Sequence, residues 1–311
     1  MKKVIWKRLI QLVFVMFGIS FITFSLMNVI ASDPITMKYE NMQQQVDKSV
    51  IEKEKEKLGL NKSFLEQYIS WLSNISKGDL GMSYRYQKPV SDKLKETIPN
   101  TLVLVSATTF VSAISSLFLG IVSAIYERKW IDYLIRFFSF LGVAMPSFWV
   151  ALILIYTFSV SFQLLPVSGY GTFRHLILPM LTLSIWMIAV YTRQIRNQIL
   201  EEHQKDYVKG LKSLGFSYRH IMLKEILPNA LLPVLTNFGM TIGALLGGTV
   251  IIETIFGWQG VGRLVMEAIK NRDYPIIQGY VLWMSIIFVS INLIVDLLYH
   301  VLNPRVRLED I

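Results

Sequence analysis

The 311-residue sequence contains no cysteine. That excludes disulfides, thiolate metal sites and cysteine nucleophiles, although it fixes no redox compartment. Charge is scarce as well: 17% of residues are Asp, Glu, Lys or Arg, where a soluble domain carries about a quarter. No Gly-x-x-x-x-Gly-Lys-Ser/Thr loop is present, so the chain has no P-loop with which to cradle nucleotide phosphates. Neither a Ser/His/Asp set nor a pair of carboxylates falls in a pattern that implies one shared pocket. His175, His203, His220 and His300 are not spaced as metal ligands on one helix. These absences lead to an expectation of no catalytic residue and no bound metal. Any energy source must then come from other chains.

Apolar residues are what the sequence has in excess, at 53%. Charges cluster and leave long uncharged runs at roughly 9–30, 99–126, 137–160, 176–192, 229–252 and 276–301. Each is long enough to cross a bilayer as a helix, with the fourth at the short limit. A backbone in hydrocarbon must satisfy its own hydrogen bonds, so each run is expected to be helical. The first run, preceded by Lys2, Lys3, Lys7 and Arg8, exceeds the about 7–15 residues of a signal h-region and reads as an uncleaved span. Pro146 inside the third run should kink it.

Charge orients these spans. With six of them, both termini share a side, and sixteen basic residues fall on it, against Arg174, Arg263, Lys270 and Arg272 in the two short loops opposite. The positive-inside rule places the basic side in the cytoplasm. The net charge of +9 is then a property of membrane topology, and nucleic acid is not an expected partner. The expected fold is an all-α polytopic membrane protein with six transmembrane helices and both termini cytoplasmic. Its expected parts are a tail and first span (1–30), an extracytoplasmic segment (31–98) with a charged helical stretch near 50–58, and a core of five spans (99–303). A cytoplasmic tail (304–311) closes the chain. The core carries a cytoplasmic loop at 193–228 and an outer loop at 253–275.

The cytoplasmic loop is long for a mere connection. Within it Tyr207, Val208, Leu211, Leu214, Tyr218, Ile221 and Met222 recur at helical spacing, with Lys205, Asp206, Lys209 and Lys212 on the other face. Gly215 interrupts the pattern as a turn between two short helices would. Periodicity alone fits either a helix lying on the lipid surface or a docking helix for a soluble partner.

Other features also leave two readings open. Gly239, Gly243 and Gly247 recur every four residues in the fifth run, where they serve helix packing inside the chain or line a moving gate or the interface with a second chain. Phe256, Trp258 and Gly260 mark a turn before an apolar face of Val261, Leu264, Val265, Ala268 and Ile269, readable as a plug or as a surface for an outer partner. Arg272 and Asp273 read as a structural ion pair before a substrate contact. Asp296, with Asn292 one turn earlier, is the acid well inside a span and is either a functional group or a helix-bundle partner.

The segment DYVKGLKSLGFSYRHIMLKEILPNALLP (206–233) resembles the cytoplasmic signature loop of ABC-importer permeases. Gly215 stands at the loop's glycine and Leu227-Pro228 at its closing pair, while Lys209-Gly210-Leu211 replaces the usual Glu-Ala-Ala. LGLNKSFLEQYISWL (58–72), GDLGMSY (78–84), GVAMPSFW (142–149), LPVSGYG (165–171) and IIETIFGWQGVGRLVMEAIKNRDYPIIQG (251–279) are similar to segments of the dipeptide/oligopeptide/nickel permease family. ASDP (31–34) departs from that family's Pro-Gly-Asp-Pro-like turn.

The resemblance implies a type I ABC importer permease fold, a second homologous permease forming a heterodimer, and an extracytoplasmic substrate-binding protein near Phe256, Trp258, Gly260, Arg263, Arg272 and Asp273. It also implies two ATPase subunits, holding ATP-Mg, docked on Asp206, Tyr207, Val208, Lys209, Leu211, Leu214 and Gly215. No cofactor is expected on this chain itself, only membrane lipid around it. GYGTFRHLILP and AIKNRDYPIIQ look closest to the nickel-type branch, so nickel, cobalt or another metal–chelate is the expected cargo, with peptides as the alternative. An ion-coupled secondary transporter is the rival of another class, but it predicts an inverted repeat with broken helices and midplane charges.

Overall fold

The computed structural model describes residues 2–29, 47–57, 59 and 61–302. The turn at 31–34 and the tail from 304 lie outside them, as does the side chain of Asp296. The described residues are almost entirely helical. In chain order the helices are α1 (Lys2–Val29), α2 (Lys48–Lys57), α3 (Phe64–Ser76), α4 (Val90–Ile125), α5 (Trp130–Ala144) and α6 (Ser147–Leu154), with a π-helical continuation at Ile155–Ser161. They continue as α7 (Phe173–His203), α8 (Asp206–Ser213), α9 (Leu227–Ile255), α10 (Val261–Lys270) and α11 (Tyr274–Leu302). A short turn at Tyr218–His220 and a π-helical stretch at Ile221–Ile226 lead into α9.

Five of the six apolar runs each fall largely in one helix. Val90–Ile125, Phe173–His203, Tyr218–Ile255 and Tyr274–Val295 are long and apolar enough to cross a membrane, and α1 contributes the shorter apolar stretch Val13–Ser25. The third run differs from expectation. The expected kink at Pro146 is a full break between α5 and α6, bent by 107°. Proline explains the break, because it disfavours helical backbone in the residue before it. Met145 turns extended, with ψ 128°, and Pro146 does the same, with ψ 140°. A proline also shapes the entry to α9. Pro228 has no N–H to donate, and just before it the chain widens so that Leu227 N bonds back to Met222 O.

The chain divides into two compact units, Met1–Thr101 with Gln259–Val289, and Leu102–Trp258 with Ser290–Ile311. In the second, α7 is the central element. It buries thirteen residues, from Leu176 to Glu202, and packs against α5, α6 and α9. Close helix approach needs small residues. At Gly142 of α5 an added Cβ would stand 2.8 Å from the Ala189 Cβ on α7. In the first unit, six aromatics join α1 to α3: Phe17, Phe21 and Phe24 meet Phe64, Tyr68 and Trp71. A capping box starts α3, with Ser63 and Glu66 bonding each other's backbone.

Candidate functional site

The loop after α7 folds as its sequence pattern predicts, and then adds a brace that the pattern did not reveal. Helix α8 ends in a Schellman turn: Gly215 N bonds to Lys212 O at 3.0 Å and Phe216 N to Leu211 O at 3.2 Å. The turn requires a left-handed residue, and Gly215 supplies it with φ +84°. Ser217 then caps the next turn, its side chain accepting from His220 N.

The apolar side chains of this loop divide into two sets. Val208, Ile221 and Met222 are buried where α8 rests on the Ile221–Ile226 turn. Leu214 is 76% exposed, Tyr218 49% and Phe216 45%. Tyr207 is at the edge of exposure, Leu211 is half-buried, and Pro228 at the loop's close is exposed beside half-buried Leu227. Asp206 and Lys209 form an ion pair at 2.7 Å on the outer face of α8, where solvent screening leaves it little energy.

Glu202, in the last turn of α7, holds α8 in place. It is nearly buried and accepts hydrogen bonds from the Tyr207 hydroxyl at 2.8 Å and the Lys205 ammonium at 2.5 Å. Burial, and then this bond to Glu202, pushes the Tyr207 phenol up to about 12, so it stays protonated and donating at any physiological pH. A second buried acid also meets α7, through Arg196. Asp132 of α5 is fully buried and receives Arg196 of α7 in a two-pronged pair, Nε at 2.7 Å and Nη2 at 2.8 Å. Ser123 Oγ of α4 donates to it at 2.6 Å, and Arg128 N at 3.1 Å. One carboxylate thus ties the ends of α4, α5 and α7 together. Neither acid stood out in the sequence, where an acid beside basic residues at a helix end looks solvated. The one available signal was the spacing of Glu202 five residues before Tyr207.

The glycine row of α9 is only partly buried. Gly239 packs inside the chain: an added Cβ would lie 2.3 Å from the Val295 Cγ2 of α11. Gly243 is buried, Gly247 is exposed, and Gly248 has open space where a Cβ would go. Asn292 of α11 is half-buried.

The outer loop turns most of its expected contact residues inward. Phe256 and Trp258 are buried, and Phe256 O accepts from Gly169 N at 2.8 Å. Gly260 is buried as the N-cap of α10, which hides Val261, Leu264, Val265 and Ala268; of the predicted apolar face, Ile269 is exposed instead.

The expected Arg272–Asp273 ion pair does not form. Fully buried Asp273 instead accepts from Ser83 Oγ at 2.5 Å, Tyr84 N at 3.1 Å and Arg85 N at 3.2 Å, anchoring the 81–89 turn. Adjacent residues point apart, which is why adjacency was a poor guide. Arg263 likewise turns to its own helix and donates to Glu267 at 3.0 Å, while the Tyr86 hydroxyl donates to the other oxygen at 2.8 Å. Among the described residues no group of three or more His, Asp or Glu gathers as a metal site.

Two family models match the chain. "Binding-protein-dependent transport system inner membrane component" covers residues 116–308, and its N-terminal companion covers residues 1–105. The glutathione transport system permease protein GsiC of Escherichia coli (strain K12) is 34% identical over 301 residues, 97% of each chain. The oligopeptide transport system permease protein AppB of Bacillus subtilis (strain 168) is 36% identical over 312 residues, 97% of this chain and 98% of that one. Among solved structures, a chain of the MetNI methionine ABC transporter in an inward-facing conformation superimposes with TM-score 0.56 at 15% identity, covering 68% of this chain and 96% of that one. A chain of an amino acid ABC transporter crystallised with histidines gives 0.51 at 18% identity, covering 69% and 94%. These two show the fold. The expected nickel-type branch is not what the relatives bear out, because their names carry glutathione and oligopeptide.

Proposed function

The chain belongs to the family of binding-protein-dependent transport system inner membrane components, and on that premise we propose that it is the permease subunit of an ATP-driven importer of short peptides. A glutathione-sized or oligopeptide cargo takes the place of the metal–chelate expected from the sequence. Close relatives named for those cargoes support this choice. The observation that carries the mechanism is the Gly215 turn. It holds Leu214, Phe216 and Tyr218 outward while Val208 and Glu202 fix its base.

An exposed apolar cluster on a rigid turn suits docking to a folded partner, since the ordering cost of the turn has already been met within the chain. The partner is an ATPase subunit, one on this chain and one on a second, homologous permease. ATP-Mg is held on those subunits, and their closure pulls on α8 and through Glu202 on α7. Both termini and the 193–228 loop face the cytoplasm, in keeping with their excess of basic residues. The 31–98 segment and the 253–275 loop face outward, where a binding protein delivers substrate. Few charges line the spans, so selectivity resides mainly in that binding protein.

The test is uptake in cells with and without the chain, comparing labelled glutathione and a labelled oligopeptide with labelled nickel under metal starvation. Loss of peptide or glutathione uptake alone is the expected result. Loss of nickel uptake alone overturns the cargo assignment and leaves the architecture standing.

A further inference from the structure

Helix α3 carries more apolar surface than α1 covers. Around its axis, Phe64, Tyr68, Trp71 and Ile75 form one sector, and Tyr68 is buried against α1. Leu65, Ile69 and Leu72 form the adjoining sector, and the first two are 62% and 63% exposed. Glu66, Gln67, Ser70, Ser73 and Asn74 occupy the remainder. The apolar arc is thus about twice as wide as its contact with α1, and no charge interrupts it.

Its neighbour makes the uncovered half interpretable. α1 shows Val13, Phe14 and Ile22 to the outside, the apolar surface of a membrane helix. α3 is pinned to α1 by the ring contacts Phe21–Phe64, Phe24–Tyr68 and Phe24–Trp71, and by the Ser20–Tyr68 hydroxyl bond at 3.0 Å. Ser20 to Phe24 lie about 9–15 Å inside the distal end of the 9–30 run at 1.5 Å per residue. An amphipathic helix in the membrane interface buries its apolar face by about 5–10 Å. A helix held against Ser20 and Phe24 therefore reaches the acyl chains.

We propose that α3 is a membrane-interfacial helix lying in the outer leaflet against α1, with Leu65, Ile69 and Leu72 in lipid and Ser70, Ser73 and Asn74 in water. Lys62 and Lys77 flank it at the headgroup level, where long basic side chains snorkel. The 31–98 segment is then partly a membrane element that fixes the outer end of α1. The leaflet named here rests on the orientation given under the proposed function.

The natural absence of cysteine permits a direct test in the full chain in cells. Single variants Ile69→Cys and Leu72→Cys, with Ser70→Cys and Ser73→Cys as water-face controls, are exposed to a membrane-impermeant sulfonated maleimide. A bimane at Ile69→Cys is then challenged with doxyl-labelled phospholipid. The expected result is labelling of the serine positions at least tenfold faster than the apolar ones, with strong quenching of the bimane by lipid. Equal labelling overturns the proposal, because it places Ile69 in water. Protection of Ile69 without lipid quenching also overturns it and assigns the face to a protein partner. Serine positions that label only after permeabilisation place α3 on the cytoplasmic side, refuting the orientation separately.

Discussion

The segment from 206 to 220 and the segment from 259 to 273 are built from similar parts. Each has a short amphipathic helix, a glycine at one end of it and a buried acid close by, Glu202 in one case and Asp273 in the other. They dispose of their apolar side chains in opposite ways. α10 hides Val261, Leu264, Val265 and Ala268, with Val261 N donating to Thr101 Oγ1 and Arg263 to Glu267. The Gly215 turn keeps Leu214, Phe216 and Tyr218 outward. Exposed apolar groups on a well-braced turn mark an interaction surface more clearly than amphipathicity does. Both helices are amphipathic, but one has its apolar face buried and the other is followed by an exposed apolar cluster.

The sharpest way to break this contrast is Leu214→Asp. Placing a charge at the centre of the exposed cluster should lower substrate uptake more than tenfold while membrane level and thermal unfolding stay unchanged. Gly215→Val should act similarly, since a β-branched residue at φ +84° is strained. Normal uptake in both variants removes the docking assignment. In the other segment the largest effect should be on stability. Asp273→Ala orphans the donors of Ser83, Tyr84 and Arg85 and should cost about 3 kcal/mol, read as a lower unfolding temperature in detergent.

Glu202→Gln keeps the shape of the brace but loses its charge, and should reduce uptake two- to fivefold while ATP hydrolysis continues in the assembled complex. Measuring hydrolysis and uptake together distinguishes slack coupling from loss of assembly.

The smallest effect concerns Glu267. Burial alone would raise its carboxyl, but hydrogen bonds from Tyr86 and Arg263 hold it below its ordinary value. A folded value lower than the unfolded one means that the stabilisation is present at neutral pH and is lost as pH falls through the carboxylate range, below about 4.3. Glu267→Gln should flatten that acid limb of a stability–pH profile, with little change at pH 7.

Much of this was legible from residues alone. Five of the six apolar runs became single helices and the third a broken pair, because a lipid-exposed backbone has no other way to satisfy its hydrogen bonds. The turn at Gly215 was legible because glycine adopts its left-handed backbone without steric cost. Reading failed where a side chain's partner lay far along the chain. Asp273 was assigned to Arg272, one residue away, but its carboxylate meets Ser83, at a separation of 190 residues. Asp132 and Arg196 stand 64 residues apart, so each read as an ordinary charge near a helix end. The bend at Pro146 was expected as a kink, yet it reached 107°. Local sequence forbids the straight path through a proline, but the packing around it sets the angle.

Composition and periodicity therefore determined the membrane class, the positions of the spans and the glycine turn, since solvation and backbone sterics act residue by residue. Tertiary structure alone decided which apolar faces are covered and which acid each donor meets. A face is buried, or a charge satisfied, only when another part of the chain arrives to do it.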